Sequence, residues 1–460
     1  MKTHLPNGST PDSNPGKTDT AMLNELLRET FEYFQKEINP RNGLIADKTE
    51  PGSPSSITAV GMGLSTYIVG VERGLISRDE AIQKTLTILR FFFAGRQGPE
   101  KDAMGYKGFY YHFLDMQTGK RARECELSTV DTTFFIAGAL HAAAYFTGED
   151  PAEEEIRQLA DSLYRRIDWI WALNGGITVC LGWTPESGFI PCNWDNGYSE
   201  ALLLYILALG SPTFPIGAEG YRGWISTFEW KEVYDTAYIY AGPLFIHQLS
   251  HIWVDFRGIH DEMNRQTGID YFENSRRATC VQQRYAIENP HGFAHYGKNN
   301  WGLTASDGPG PAEMEIDGIQ RTFYDYIARG APLGPDDGTV SPWAVVASLP
   351  FAPEIVLQTI RHAIEKLNLK SHPHKYGFDA SFNPTFPEKE ANSLGWVSPW
   401  QFGLNEGPII LMIENFQSEH IWTIMKKCPP IINGLRRAGF SDGWLQSNDP
   451  QERSIFPIVE

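Results

Sequence analysis

The chain has 460 residues, of which 42% are hydrophobic and 13% aromatic, and it carries a formal net charge of −17. A chain this acidic repels phosphate backbones, so we predict no nucleic-acid partner. The five cysteines are scattered, odd in number and without CxxC spacing, which indicates reduced thiols rather than a disulfide framework. No apolar run reaches transmembrane length, and we predict no membrane partner, metal or other cofactor.

The amino-terminal segment differs from the rest of the chain. Residues 1–19 are polar and rich in Pro, Gly, Ser and Thr, which predicts a disordered arm. They lack the apolar core of a signal peptide, so we expect a cytoplasmic protein, or a periplasmic one if an export signal has been removed. The pattern becomes helical at about Ala21, and residues 20–460 are predicted to form one domain.

Two kinds of helical segment alternate along the chain. After the first amphipathic segment, others follow at about 78–95, 153–171, 262–285, 353–367 and 418–437. Segments that are apolar nearly all round lie between them, at 57–73, 130–146, 200–210, 243–254, 342–350 and 407–417. Because such helices are buried on most sides, the pattern predicts an all-α (α/α)6 barrel, with six inner and six outer helices and long loops around a central cleft. An irregular all-α bundle is the alternative, and short strands are expected at 104–113 and 176–190.

Acidic residues lie at the starts of three of the apolar segments. Asp131 follows a possible Ser128 cap, Glu200 precedes Ala-Leu-Leu-Leu-Tyr, and Glu406 lies just before Pro408. The structural interpretation is that the helix dipole stabilises each carboxylate. The functional interpretation is that they converge on one central mouth, where a pair of carboxyl groups is the minimum for glycoside hydrolysis.

Further candidates could bind a sugar by ring stacking or by hydrogen bonds. The candidate substrate-binding residues are Trp183, Trp194, Tyr198, His247, Arg284, Trp301, Asp307, Trp400 and Glu126. Each also has a structural interpretation. The tryptophans would then anchor loops, the histidine would lie in the core, the arginine would pair with an acid, and Asp-Gly-Pro would form a turn.

Several motifs run through residues 20–440. They include ETFEYF at 29–34, STVDTTFF at 128–135, GYSEALLLYILALGSPTFPI at 197–216, AGPLFIHQLSHIWVDFRGI at 241–259, ENPHGFAHYGKNNWGLTASDGP at 288–309 and GLNEGPIILMIEN at 403–415. Together these motifs resemble the bacterial glucoamylase-like family that includes the endo-β-1,2-glucanases of glycoside hydrolase family 144. The resemblance covers the whole predicted domain.

The resemblance implies a single (α/α)6 catalytic domain that acts on β-1,2-glucans. A related domain of cyclic β-1,2-glucan synthases transfers the same linkage. By the resemblance, Glu200 matches the glutamate of the family's GYNE motif, with Ser199 in place of Asn, and Asp131 matches the acid of its V-[DE]-T segment. The family usually has I-D-Q-G-P where this chain has Leu-Asn-Glu-Gly-Pro at 404–408, so the acid appears one position later.

From the residues and the resemblance we predict a glycoside hydrolase that cleaves β-1,2-glucan, with an oligo- or polysaccharide as its substrate partner. Glu200 is the predicted general acid, and Asp131, with Glu406 behind it, the base or nucleophile. Three alternatives stay open. They are a transglycosylase with the same acids, a hydrolase of another glucan linkage, and a non-catalytic glycan-binding protein.

Overall fold

The computed structural model describes residues 17–369, 376–387 and 394–446. Within these ranges the chain is mostly helical, as predicted, with several small sheets. The α-helices there are α1 (Lys17–Lys36), α2 (Ile57–Glu72), α3 (Arg78–Ala94), α4 (Thr129–Tyr145), α5 (Pro151–Arg165), α6 (Leu202–Gly210), α7 (Ala218–Ile225), α8 (Glu262–Thr267), α9 (Tyr271–Glu288), α10 (Pro342–Ala347), α11 (Pro353–Glu365), α12 (Gly403–Ser418), α13 (His420–Met425) and α14 (Pro429–Ala438). Most of the predicted disordered arm, residues 1–16, lies outside the described residues, and residues 17–19 belong to α1.

The strands are short and lie in the connections between helices. They are β1 (Ser55–Ser56), β2 (Gly105–Tyr106), β3 (Phe109–Tyr111), β4 (Phe113–Leu114), β5 (Leu127–Ser128), β6 (Gly182–Thr184), β7 (Gly188–Phe189), β8 (Trp230–Val233), β9 (Thr236–Ile239), β10 (Ala305–Ser306), β11 (Ala312–Ile316), β12 (Ile319–Phe323), β13 (Ile327–Ala328), β14 (Phe382–Asn383) and β15 (Trp396–Val397). Strands β2, β3, β5, β6 and β7 form an antiparallel sheet in that order. The other strands pair as β1–β4, β8–β9, β10–β13, β11–β12 and β14–β15. The strands predicted at 104–113 and 176–190 are therefore present.

Buried and half-exposed helices alternate along the chain. Helices α2, α4, α6, α10 and α12 are buried over most of their length, whereas α1, α3, α5, α7, α9 and α11 each keep an exposed face. Helix α2 packs against both α4 and α12, and α12 also packs against α10. The hydrophobic residues of these buried helices belong to one large core cluster. The last long buried helix therefore contacts the first.

Three segments differ from the helical pattern predicted for them. Residues 243–254 form two 3-10 turns, Leu244–His247 and Leu249–Ile252, instead of one α-helix. Between these turns the Gln248 side chain donates hydrogen bonds to a carbonyl and a hydroxyl of the neighbouring helix segment. The segment 262–285 is divided into α8 and α9 at Gly268, whose φ of 75° is left-handed. The segment 418–437 is likewise two helices, α13 and α14.

Helices α2 and α4 begin side by side, because each follows a short strand and is capped by a serine. The Ser56 side chain accepts a hydrogen bond from the Ala59 amide, and the Ser128 side chain accepts one from the Asp131 amide. Farther along, a Cβ atom at Gly138 would lie 2.1 Å from the carbonyl oxygen of Gly61. These two helices therefore pack backbone against backbone, which keeps their amino-terminal ends together.

Two predictions from composition can be compared with the structure. The five cysteines all lie in the described residues and are free thiols, as predicted. No helix in the described part of the chain has both the length and the apolar character that crossing a lipid bilayer requires.

Candidate active site

A cleft of about 360 Å³ opens where the amino-terminal ends of α2, α4 and α12 meet. Its charged lining residues are Asp47, Lys48, His112, Arg123, Asp131 and Glu200. Its aromatic lining residues are Phe113, Phe134, Phe245, Tyr326, Trp343 and Phe402. The structure thus brings Asp131 and Glu200 together in one ring-lined cavity, although 69 positions separate them in the sequence.

Asp131 lies in the first turn of α4, and hydroxyl groups hold its carboxylate in place. The Thr58 hydroxyl donates a hydrogen bond to Oδ1 at 2.5 Å, and the Ser128 hydroxyl donates one to Oδ2 at 2.5 Å. Thr58 comes from the first turn of α2, so the contact between the two helix starts fixes the acid directly. A carboxylate oriented by donors in this way is suited to act as a base or nucleophile.

Glu200 lies in the turn immediately before α6 rather than inside the helix. The Ser250 hydroxyl donates to the Glu200 carbonyl oxygen at 3.0 Å and accepts from the Leu203 amide at 3.1 Å, which fastens this turn. Burial raises the pKa of the Glu200 carboxyl to about 7, with a further contribution from the charge of Asp131. A carboxyl group that keeps its proton near neutral pH can serve as a general acid.

Glu406 lies behind the cleft wall. Its neighbours Leu404 and Asn405 line the cleft, whereas Glu406 points into the interior with 1% of its surface exposed. Burial raises its carboxyl pKa well above the ordinary value, and the charge of Asp379 raises it further. Among the described residues its Oε2 atom has no hydrogen-bond partner. The structure therefore does not bring Glu406 together with Asp131 and Glu200.

His112 is a functional candidate that the sequence analysis did not identify. Its Nδ1 atom lies 2.9 Å from Glu126 Oε1, and its Nε2 atom lies 3.7 Å from Asp131 Oδ1. Burial alone would lower the pKa of the imidazole, but the charges of Asp131, Glu126 and Asp47 raise it to about 9. The only signal for His112 in the sequence is a single polar residue within the aromatic run 109–113.

Asp47 is a second cleft residue that the sequence analysis missed. It lies in the loop before β1, and burial raises its carboxyl pKa, although the charges of His112 and Arg123 oppose that effect. Arg123 Nη1 lies 4.0 Å from Asp47 Oδ2. No helix or strand pattern marks this aspartate, because a loop between two elements places it in the cleft.

His112, Glu126 and Asp131 have potential ligand atoms within 4.8 Å of one another. The imidazole, however, directs one nitrogen at each carboxylate. A bound cation would require the three side chains to turn their donor atoms toward one shared point. The cluster is accordingly arranged as a carboxylate–imidazole–carboxylate chain, in which the predicted residue Glu126 contacts His112.

The predicted stacking residues Trp183, Trp194 and Trp400 are half-buried and do not line this cleft. Trp194 lines a second, open groove of about 790 Å³ that also includes Ser199, next to Glu200 in the chain. Its indole nitrogen donates a hydrogen bond to the Thr129 hydroxyl at 3.0 Å, at the start of α4. Trp183 packs within a cluster of aromatic rings. Trp194 is therefore the predicted tryptophan for which the structure shows an open surface.

Three other predicted residues are buried in the core. Tyr198 stacks on Tyr271 with their ring centroids 5.7 Å apart. His247 Nε2 lies 3.1 Å from the carbonyl oxygen of Ala241, and burial lowers the imidazole pKa to about 4, so the ring is neutral. Trp301 is completely buried. These three side chains do not reach the cleft wall, and their contacts are structural.

Asp307 and Arg284 lie outside the cleft lining as well. Asp307 is buried and accepts hydrogen bonds from the hydroxyls of Ser381, at 2.6 Å, and Ser398, at 2.5 Å. These bonds connect the loop after β10 to two later loops. Arg284 is on the surface of α9, where it forms an ion pair with Glu288. Asp307 thus fastens loops next to the cleft, whereas Arg284 faces solvent.

Comparison with known proteins matches residues 193–429, more than half of the chain, to the family described as "Putative glucoamylase". The chain is also similar to the exo β-1,2-glucooligosaccharide sophorohydrolase (non-reducing end) of Parabacteroides distasonis, with 28% identity. That match covers 91% of this chain and 58% of the relative, so the chain spans little more than half the relative's length.

Solved structures show the same similarity. A putative glucoamylase from Bacteroides uniformis is 30% identical, with a TM-score of 0.80 over 94% of this chain and 100% of that one. The endo-β-1,2-glucanase from Chitinophaga pinensis, solved with sophorotriose and glucose, is 26% identical, with a TM-score of 0.78 over 94% of this chain and 100% of that one.

Proposed function

The chain belongs to the family described as "Putative glucoamylase", and from that membership we propose that it is a glycoside hydrolase acting on β-1,2-linked glucans. One observation carries the proposal. Asp131 and Glu200 face the same aromatic-lined cleft, one held by hydroxyl donors and the other with its pKa raised to about 7. The relatives named for β-1,2-glucan cleavage support this linkage class for the substrate.

In the proposed reaction, Glu200 donates its proton to the glycosidic oxygen as the bond breaks. Asp131 either removes a proton from the attacking water or attacks the sugar itself. The aromatic rings of the cleft, including Tyr326 and Phe402, offer apolar faces to the sugar rings. The two acids need opposite protonation states, and their surroundings favour that assignment because the burial of Glu200 disfavours its charged form.

We also propose that the helices form an (α/α)6 barrel, with residues 20–460 as one catalytic domain. Two observations support this arrangement. Buried helices alternate with half-exposed ones along the chain, and α12 packs against α2, which would close a ring of inner helices. The 3-10 turns at 244–252 would take the place of one inner helix. The cleft would then lie at the end of the barrel where the inner helices begin.

A transglycosylase is the second candidate function, and Asn405 is the observation that favours it. Asn405 lines the cleft at the position where the family's usual motif has an acid, and the acid of this chain, Glu406, is buried behind it. A cleft with one carboxylate fewer has less capacity to activate water. An incoming sugar hydroxyl could then compete with water for the glycosyl group.

The deciding experiment is incubation of the protein with glucans of defined linkage, with the products separated by size and by anomer. The hydrolase proposal expects short oligosaccharides with new reducing ends from β-1,2-glucan and none from starch. Longer or cyclised products would identify the transglycosylase. Cleavage of another linkage alone would overturn the substrate assignment, and binding without any product would indicate a glycan-binding protein.

A further inference from the structure

We propose that Glu126, His112 and Asp131 form a charged chain in which His112 is a positioning residue that keeps Asp131 ready to act as base or nucleophile. The inference rests on the proposed function, because it assigns Asp131 a role in glycoside cleavage. It adds a residue type that a two-carboxylate mechanism does not contain. It also gives Glu126 an indirect role, as the residue that orients and charges the imidazole.

The backbone fixes the position of His112. Its amide donates to the Glu126 carbonyl oxygen at 3.0 Å, and its own carbonyl accepts from the Ile57 amide at 3.2 Å, where α2 begins. The imidazole stacks on the Phe113 ring, with a centroid distance of 4.0 Å and an interplanar angle of 12°. The ring therefore has little freedom to rotate. Its two nitrogens stay directed at Glu126 and Asp131, which belong to different elements.

The charges that face His112 are mostly negative. Glu126, Asp131 and Asp47 all favour the protonated ring, and together they outweigh its burial. The nearby positive charge of Arg123 lies over the opposite neighbour, the Phe113 ring, at 5.5 Å. The adjacent Cys125 thiol is neutral near pH 7, because burial raises its pKa to about 11. Near neutral pH the chain therefore holds one positive ring between carboxylates.

A positive group on the Asp131 side of the cleft has a chemical consequence. Two carboxyl groups in one cleft compete for a proton, and catalysis requires that Glu200 hold it while Asp131 does not. His112 lies beside Asp131, and no contact joins it to Glu200 among the described residues. A neighbouring positive charge favours the charged form of a carboxyl group. His112 thus separates the protonation states of the two acids.

The first test measures pH–rate profiles for kcat and kcat/KM on β-1,2-glucan. We expect His112→Gln to lower kcat by about tenfold or more, with KM changed by less than about threefold, and to move the acidic limb upward by about one pH unit. Glu126→Gln should change the profile in the same direction by less. The matched control is His260→Gln, which makes the same substitution at a half-exposed histidine outside the cleft.

The second test does not depend on activity. NMR titration of the imidazole C–H signals, assigned by the signal lost in His112→Gln, should show His112 titrating near pH 9 in the wild-type protein. The signal should titrate at lower pH in Glu126→Gln. Titration of His112 at its ordinary pH of about 6.5 would overturn the charged chain.

The two proposals fail in different ways. If the wild-type protein releases no product from any glucan, the proposed function is wrong, whatever the titration of His112 shows. If the wild type cleaves β-1,2-glucan but His112→Gln keeps the wild-type pH profile and loses only thermal stability, His112 is merely structural. That second result would overturn the charged chain and leave the assigned reaction standing.

Discussion

Two places in the molecule bring carboxyl groups together, and they differ in what surrounds the acids. In the cleft, Asp131 accepts two hydroxyl hydrogen bonds, and Glu200 lies next to open space. Behind the cleft wall, Glu406 and Asp379 are almost completely buried. Burial raises the pKa of Asp379 to about 7, the same value as for Glu200. A raised pKa therefore does not distinguish the two places.

Access and orientation do distinguish them. A general acid must come within hydrogen-bond distance of the substrate atom that it protonates, so a sealed carboxyl cannot act whatever its pKa. Asn405 and Glu406 are adjacent in sequence, yet only Asn405 lines the cleft. The comparison teaches that a helix start supplies acids to both environments, and that one residue along the helix decides which environment an acid enters.

The largest expected effect comes from the matched pair Glu200→Gln and Glu406→Gln. We expect Glu200→Gln to reduce kcat by about 10²–10⁴-fold, because general acid catalysis contributes that much. Glu406→Gln should stay within about threefold of wild type, since its carboxyl does not reach the cleft. Initial rates on β-1,2-glucan, with circular dichroism to check folding, measure both. Equal losses in the two variants would contradict the distinction between cleft and interior.

The second expected effect is the dependence of the wild-type rate on pH. Glu200 must hold its proton to act, and its pKa is about 7. The rate should therefore be nearly constant just below pH 7 and fall by about tenfold per pH unit well above it. A kcat/KM profile between pH 5 and 9 measures this limb. A rate that continues to rise to pH 9 would remove Glu200 from the role of general acid.

The third expected effect is on stability and concerns Glu406. The fold raises its carboxyl pKa, so the protonated group contributes stability at acid pH, and this contribution is lost as pH rises toward the folded-state pKa. Glu406→Gln replaces the acid by a neutral amide of similar shape. We expect the variant to be more stable than wild type by about 1–3 kcal/mol at pH 8.

Urea unfolding of this variant and of the wild type at pH 5 and pH 8 measures the difference. The gain should be smaller at pH 5, where the wild-type carboxyl is still protonated in the folded chain. A variant that is less stable than wild type at both pH values would show that the carboxyl makes a specific contact that the amide does not replace.

The smallest expected effect is at Arg284, which the sequence analysis proposed for substrate binding. Its ion pair with Glu288 lies on the exposed surface of α9. Exposed ion pairs contribute about 0–1 kcal/mol, so Arg284→Ala should leave both KM and kcat within about twofold of wild type. A large rise in KM would mean that substrate extends across this face, which would enlarge the region compared with the interior.

The candidate site was predictable where a local pattern places a residue. Asp131 follows a capping serine at the start of an apolar helix, and Glu200 directly precedes another, so each acid could be assigned to a helix start. His112 and Asp47 carry no such pattern, because a short strand and a loop bring them to the cleft. The tryptophans failed as indicators, since packing and sugar stacking use the same rings.

The amino-acid sequence by itself determined which helices are buried and where several of them begin. Side-chain polarity and capping groups act over a few neighbouring residues, so both features can be read from the chain. Only the tertiary structure decided which helix ends meet, and therefore which acids share a cleft and which are sealed behind it. Those choices depend on close approaches such as that of Gly61 and Gly138, and on connections between residues far apart in the chain.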